Sequence, residues 1–428
     1  MFGEGVLKAP GKLVKGAEVE KSPSDKRSYR ALTLPNGLRV LLASDPNTNK
    51  AAAALDVHVG HFSDPDDIPG MAHFCEHMLF LGTEKYPTEG ALEKYLSVHG
   101  GSSNAYTDTE DTNYFFDVNE DSLEGALDIF SQFFVSPLFT ASGVERELNA
   151  IESEHSKNLQ TDSWRINQVG KTRGNQAHPY AKFGTGNKYT LKENTAAEGI
   201  NLREKLLEFH DKYYSANQMT LAVCGKEDLD TLQKMVVSRF SSVPNTNRPT
   251  PEVAWQGKIL PFDSEAYKTI YNVVPVADSK DIYLAWIMPF TSAEDRLTKT
   301  VGKPQFPVSS VIGYEGKGSL LSYLKDQKGW VTSLGAAEFD NMRDFDIYGL
   351  AISLTKEGFK HREEIVETIF AYINKMKKEG IPDYINKDLM EVCVCVLLLR
   401  PRPMLLMTGA LWSMKLGIFV CLCRLKRC

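Results

Sequence analysis

The chain has 428 residues, with 49 Lys or Arg against 55 Asp or Glu and a net charge of −6. It lacks the basic excess on which nucleic-acid binding depends. Its apolar share of 42% is ordinary for a soluble protein, and its length suggests two or three domains.

Residues 1–27, rich in Lys, Glu, Gly and Ser, read as a mobile lead-in without the apolar run of a cleaved signal peptide. Strands are expected at 38–43 and 54–60, the second with clean alternation. Asp67-Ile68-Pro69-Gly70 supplies an N-cap candidate and an early proline, and Gly82 a C-terminal stop. A helix of about three turns is expected between them. Inside it stands His73-Phe74-Cys75-Glu76-His77, which reads H-x-x-E-H. A spacing of four puts His73 and His77 on one helix face, where both imidazoles can reach one ion. Glu76 lies beside them, and a carboxylate there can take a proton from a zinc-bound water. Taken alone, these five residues are as compatible with two solvated or capped histidines as with a metal site.

A helix at 88–98 is expected to end at Gly100-Gly101. Residues 102–109 and 112–118 read as a hairpin with Tyr114, Phe116 and Val118 on one face. Amphipathic helices are expected at 120–134, 142–159 and 200–213. In the middle one, taken as capped by Ser142, the apolar stripe is Val144, Leu148, Ile151 and Leu159. Glu147 and Glu154 are seven apart, two turns along the same side, and edge that stripe. A carboxylate beside apolar surface needs a partner, and a metal ion with its ligands is a good one. His155, on the stripe, reads as a core histidine, and Glu152 as solvated. A strand at 219–224 and a linker at 244–263 follow. A second unit runs over 264–391, with a strand at 281–288 and a glycine-rich turn at 313–318 opening a helix. That turn lacks a Gly-Lys-Ser/Thr end, so a phosphate loop is not expected.

Several runs carry a family resemblance: 70–82 around the histidines, Lys85-Tyr86-Pro87, 99–107, Glu145-Arg146-Glu147, Ser153-Glu154-His155 and 178–188. In combination they resemble the pitrilysin/insulysin family of zinc metallopeptidases, in its insulin-degrading-enzyme branch, over residues 28–390. The resemblance implies an α+β chain of two related α/β units, a catalytic zinc-binding domain at 28–243 and an incomplete, non-catalytic homologous domain at 264–391. It implies one Zn(2+) per chain on His73, His77 and Glu154, with Glu76 as general base and Glu147 as a carboxylate orienting the site. Phe80, Asn104, Ala105, Tyr106 and Trp164 match substrate-binding positions. Asn167 departs from an aromatic common there. The strand at 102–106 matches an edge strand that captures extended peptides through main-chain hydrogen bonds. Residues 311–337 resemble the second-domain segment that anchors a peptide N-terminus.

The activity implied is a zinc metalloendopeptidase hydrolysing peptides. Insulysins hold four such domains and take Arg and Tyr side chains from the last one, so a second reading is open. It is a catalytically weak truncated homologue that binds peptides or a partner subunit, either a complementary C-terminal half or a second copy. A cytoplasmic location is expected, with peroxisome and mitochondrion as alternatives.

After Glu391 the composition changes. Residues 392–428 have no acidic side chain and six Lys or Arg, and hold five of the seven cysteines, Cys393, Cys395, Cys421, Cys423 and Cys428. This tail reads first as an abnormal end without a settled place in the fold. A membrane span over 404–423 is the second reading, weighed down by Lys415 at its centre. A second zinc site on the two Cys-x-Cys pairs is the third. Of the remaining cysteines, Cys75 lies between the two histidines and is expected to make the site sensitive to thiol reagents.

Overall fold

The computed structural model describes residues 12–13, 25–249, 259–263, 266–290, 305–381 and 419–423. These fall into two compact units. The first holds the described residues up to 157 and from 182 to 249. The second holds 158–181 and those from 259 onward.

The first unit is built on a sheet of seven strands: β1 (Lys12–Leu13), β2 (Ser28–Thr33), β3 (Arg39–Ser44), β4 (Lys50–Val57), β5 (Ser102–Thr107), β6 (Thr112–Asn119) and β7 (Met219–Gly225). Their order is β1-β2-β3-β7-β4-β6-β5, all neighbours antiparallel except β3 and β7. Period-two patterning decides which face is covered. Ala51, Ala53, Leu55 and Val57 of β4 and Tyr114, Phe116 and Val118 of β6 are buried, and the residues between them are more open. The helices are α1 (Met71–Leu79), α2 (Ala91–Val98), α3 (Leu123–Val135), α4 (Ala141–Asn158), α6 (Asn194–Ala197), α7 (Leu202–Tyr213) and α8 (Leu229–Phe240). The second unit takes α5 (Asp162–Arg173). Leu123, Ala126, Leu127, Phe130, Phe133 and Phe134 recur at helical spacing along α3 and are buried. Phe130 meets Phe116, Phe134 and Phe240 edge to face with centroids 5.2, 5.3 and 6.4 Å apart. Each such ring buried contributes about 1.5–3 kcal/mol, so the sheet behind the site is a firm base.

Two caps differ from expectation. Asp67 is exposed and does not cap α1. A tight turn, closed by Ile68 N donating to Pro65 O at 3.0 Å, swings Asp64 beneath the helix. Its carboxylate accepts from Gly70 N at 2.7 Å and Ala72 N at 2.8 Å. On α4 the cap is Thr140, not Ser142: its Oγ1 accepts from Gly143 N at 3.2 Å.

The second unit has a five-stranded sheet in the order β10 (Val331–Asn341), β11 (Phe345–Leu354), β9 (Asp281–Pro289), β12 (Phe419–Cys423), β8 (Ile270–Val273). β11, nearly all apolar, is buried along its length. Ile282, Leu284 and Trp286 pack with Leu350, Ile352, Ile365 and Ile369. Residues 158–181 are held here by specific bonds. Asp162 accepts from Val276 N and Ala277 N at 2.9 and 3.0 Å, Arg165 donates to Val274 O at 2.9 Å, and His178 meets Asp344 at 3.4 Å. The expected boundary at 243 therefore passes over a segment that groups elsewhere. The tail has a place for five of its residues: Phe419–Cys423 runs antiparallel to β9 and parallel to β8. The rest of 392–428 lies outside the described residues. Among those described, no helix is long and apolar enough to cross a membrane.

Candidate metal centre

α1 buries Met71, Ala72, Phe74, Cys75, Met78 and Leu79, which leaves His73 and His77 on its open side. The two rings stand at 89° with centroids 4.7 Å apart. α4 passes across them and brings Glu154, so that donor atoms of His73, His77 and Glu154 all lie within 4.8 Å of one another. Glu154 Oε2 is 3.3 Å from His73 Nε2, and Oε1 is 3.7 Å from His77 Nε2.

The other ring nitrogens decide the chemistry. His73 Nδ1 lies 2.7 Å from Thr185 O, a group that only accepts, so Nδ1 carries the hydrogen. His77 Nδ1 is likewise placed on Glu147 Oε2 at 2.9 Å. The two Nε2 atoms face each other at 3.2 Å with the Glu154 carboxylate beside them, and with both rings neutral each would present a lone pair there. In that form three acceptors would converge with no hydrogen between them, so the cluster calls for positive charge, either a proton on His77 or a metal ion. Burial pulls the His77 imidazole down, but Glu147 and Glu154 outweigh it and push it up to about 10. His73 and His77 in turn hold the Glu154 carboxyl well below the usual carboxylate range. Two imidazoles and one carboxylate make a donor set that zinc accepts, so the residues fit the ion.

Glu76 sits under this cluster and is buried. Burial pushes its carboxyl up, while His73 and the Thr107 hydroxyl pull it back. Thr107 Oγ1 donates to Glu76 Oε2 at 2.5 Å. Sequence reading passed over Thr107. Its signal was alternation: with Ser103 and Ala105 it shares the better-covered face of β5. Thr185 was also missed, since a backbone carbonyl leaves no trace in side-chain pattern.

β5 is the edge strand of its sheet. Asn104 and Tyr106 are exposed there and Ala105 is half-buried. Phe80 lies against Phe133 and Tyr114 at 5.2 and 6.2 Å. Trp164 is exposed on α5. His155 turns its ring edge onto Phe183 at 5.3 Å and is not among the converging donors. Two expectations fail. Glu152 is half-buried and not simply solvated, since it accepts from Lys188 N at 2.8 Å. Cys75 is fully buried, bonded to the Tyr214 hydroxyl, and burial pushes its thiol up to about 12. It faces the core because it lies two residues from each histidine, on the opposite side of the helix.

Residues 39–176 match the family profile described as insulinase, peptidase family M16, and residues 201–387 match the peptidase M16 inactive domain. The chain is 47% identical over 373 residues to insulin-degrading enzyme of Homo sapiens, covering 87% of this chain and 36% of that protein. It is 44% identical over 372 residues to the A-factor-processing enzyme of Saccharomyces cerevisiae, covering 87% and 35%. The structure superposes on pitrilysin with a TM-score of 0.83 at 31% identity, over 93% of this chain and 41% of that one. The chain thus spans about a third of the length of the curated relatives it matches. With both profiles in chain order, and the mixed sheet-and-helix architecture shared with pitrilysin, the chain belongs to the insulinase family of peptidases, family M16.

Proposed function

We propose that this chain is a zinc-dependent metalloendopeptidase of insulysin type that hydrolyses peptides. The observation that carries this reading is the convergence of His73, His77 and Glu154 with both Nδ1 atoms committed to oxygen acceptors. These three would hold one Zn(2+). Bound there, the ion would supply Lewis acidity toward a carbonyl and toward water.

The chain's own groups do the rest. Glu76, buried and raised, takes and returns a proton at its carboxylate. Thr107 holds one oxygen of that carboxylate and leaves the other free to act. Glu147 and the Thr185 carbonyl fix the two imidazoles. An extended peptide can add to the open edge of β5 by main-chain hydrogen bonds, with Phe80, Ala105 and Tyr106 beside it. Trp164 belongs to this reading through the family resemblance alone.

A second reading keeps the open edge of β5 without turnover: a catalytically weak homologue that binds peptides or a partner subunit. One experiment separates the two. The purified chain is assayed for zinc content and for cleavage of a quenched fluorescent peptide, alongside Glu76→Gln. The peptidase reading expects one zinc per chain, cleavage lost on chelation, and a variant that keeps zinc but loses activity by a factor of about 10²–10⁴ or more. Zinc with no cleavage by the unaltered chain supports the binding homologue. Loss of zinc in the variant would make Glu76 a ligand.

A further inference from the structure

α4 carries Glu147, Glu152 and Glu154. Glu147 and Glu154 act on the histidines directly. Glu152, two residues from Glu154 and so turned to another face, contacts a loop instead. Its Oε2 accepts the Lys188 backbone N–H at 2.8 Å. Three residues earlier in that loop, the Thr185 carbonyl accepts from His73 Nδ1 at 2.7 Å.

The loop between packs closely on the start of α1. Gly186 has φ +70° and packs against Gly70, where an added Cβ would meet the Gly186 Cα at 2.3 Å. Its two ends are tied. At one end Lys182 Nζ donates to Phe62 O at 3.1 Å and Asp64 O at 2.5 Å. At the other, Asn187 and Thr190 cap each other: Thr190 N donates to Asn187 Oδ1 at 2.9 Å, and Asn187 N to Thr190 Oγ1 at 3.1 Å. That capped turn is a rigid block, and Glu152 fastens the block to α4.

We propose that Glu152 is a positioning residue: by holding the Lys188 N–H it seats the 185–188 loop on α4, and so keeps the Thr185 carbonyl that sets the tautomer and angle of His73. The helix that brings Glu154 to the cluster then governs both imidazoles, His77 through Glu147 and His73 through this loop. The inference rests on the reading of His73 as a zinc ligand, and adds to it a residue that touches neither ion nor substrate.

The test uses the full chain, labelled with ¹⁵N at the histidine rings. Glu152→Ala removes the acceptor and Glu152→Gln keeps an oxygen in its place. Lys188→Pro removes the donor from the other side. Lys188 has φ −60° at the start of its turn, where proline is accommodated. In the metal-free chain, ring ¹H–¹⁵N correlations should show His73 in a single Nδ1–H form for the parent and Glu152→Gln. Exchange between tautomers is expected in Glu152→Ala and Lys188→Pro. Zinc affinity by chelator competition should fall about tenfold in those two, and stay within about twofold of the parent in Glu152→Gln. The double variant should be no worse than either single one. The proposal is overturned if His73 keeps one tautomer and zinc affinity is unchanged in Glu152→Ala and Lys188→Pro, or if their effects add. If the parent takes up no zinc, the proposed function falls, while the tautomer comparison still decides the role of Glu152.

Discussion

His77 Nδ1 and Glu147 Oε2 meet at 2.9 Å although 70 residues separate them in the chain. The bond ties α4 to α1 and leaves Nε2 of His77 facing the cluster. Glu147→Ala should weaken zinc binding about 10–100-fold, because the imidazole loses both its orientation and the carboxylate that raises its basicity. Glu147→Gln, which keeps an acceptor oxygen, should fall between the two. Chelator competition reads the affinity. Unchanged affinity in Glu147→Ala would remove the carboxylate from the site.

Thr107 is the group that steadies Glu76. Thr107→Val keeps the shape and removes the hydroxyl donor. A hydrogen bond to a charged group is worth about 1.5–3 kcal/mol, so peptide hydrolysis should drop roughly 10–100-fold. Zinc content should stay the same. A drop in metal content that matches the drop in rate would place the effect on the cluster and not on the base.

Cys75 should be inert in the folded chain. Its thiol is fully buried, pushed up to about 12, and bonded to Tyr214, whose hydroxyl lies 2.7 Å from that of Tyr114. Iodoacetamide should label Cys75 only after unfolding, as peptide mass mapping would show. Rapid labelling of the native chain at Cys75 would contradict this placement.

His210 gives the first unit an acid limit. Its ring packs between Phe139 and Tyr214, and its buried Nε2 has no hydrogen-bond partner among the described residues. Burial lowers its pKa from 6.5 to about 4, against a weak opposing pull from Asp211. Between those values the unfolded chain binds a proton that the folded chain does not, so stability rises with pH across that window. The contribution is complete above pH 6.5 and is lost as the pH falls toward 4. Between pH 7 and pH 5 the parent should lose about 5 °C more in Tm than His210→Phe. Parallel melting curves for the two would refute it.

How much of this was legible beforehand follows from the range of each interaction. The pairing of His73 with His77, and the placing of Cys75 on the other side, are set by the rise and turn of one short helix. Two turns of α4 likewise set Glu147 and Glu154 along one side, and alternation marked Tyr114, Phe116 and Val118 as the covered face of β6. All of these lie within a single element, where backbone geometry converts spacing into direction. The rest depends on chain segments that meet only after folding. Asp64 became the cap of α1 because the turn at 65–68 brought it back under the helix. Thr185 reaches His73 across 112 residues and Lys188 reaches Glu152 across 36, in both cases through backbone atoms that every residue type possesses. Residue identity therefore determined which groups could bind an ion, and tertiary structure decided which peptide units would hold them, because a main-chain hydrogen bond is specified by position and not by side chain.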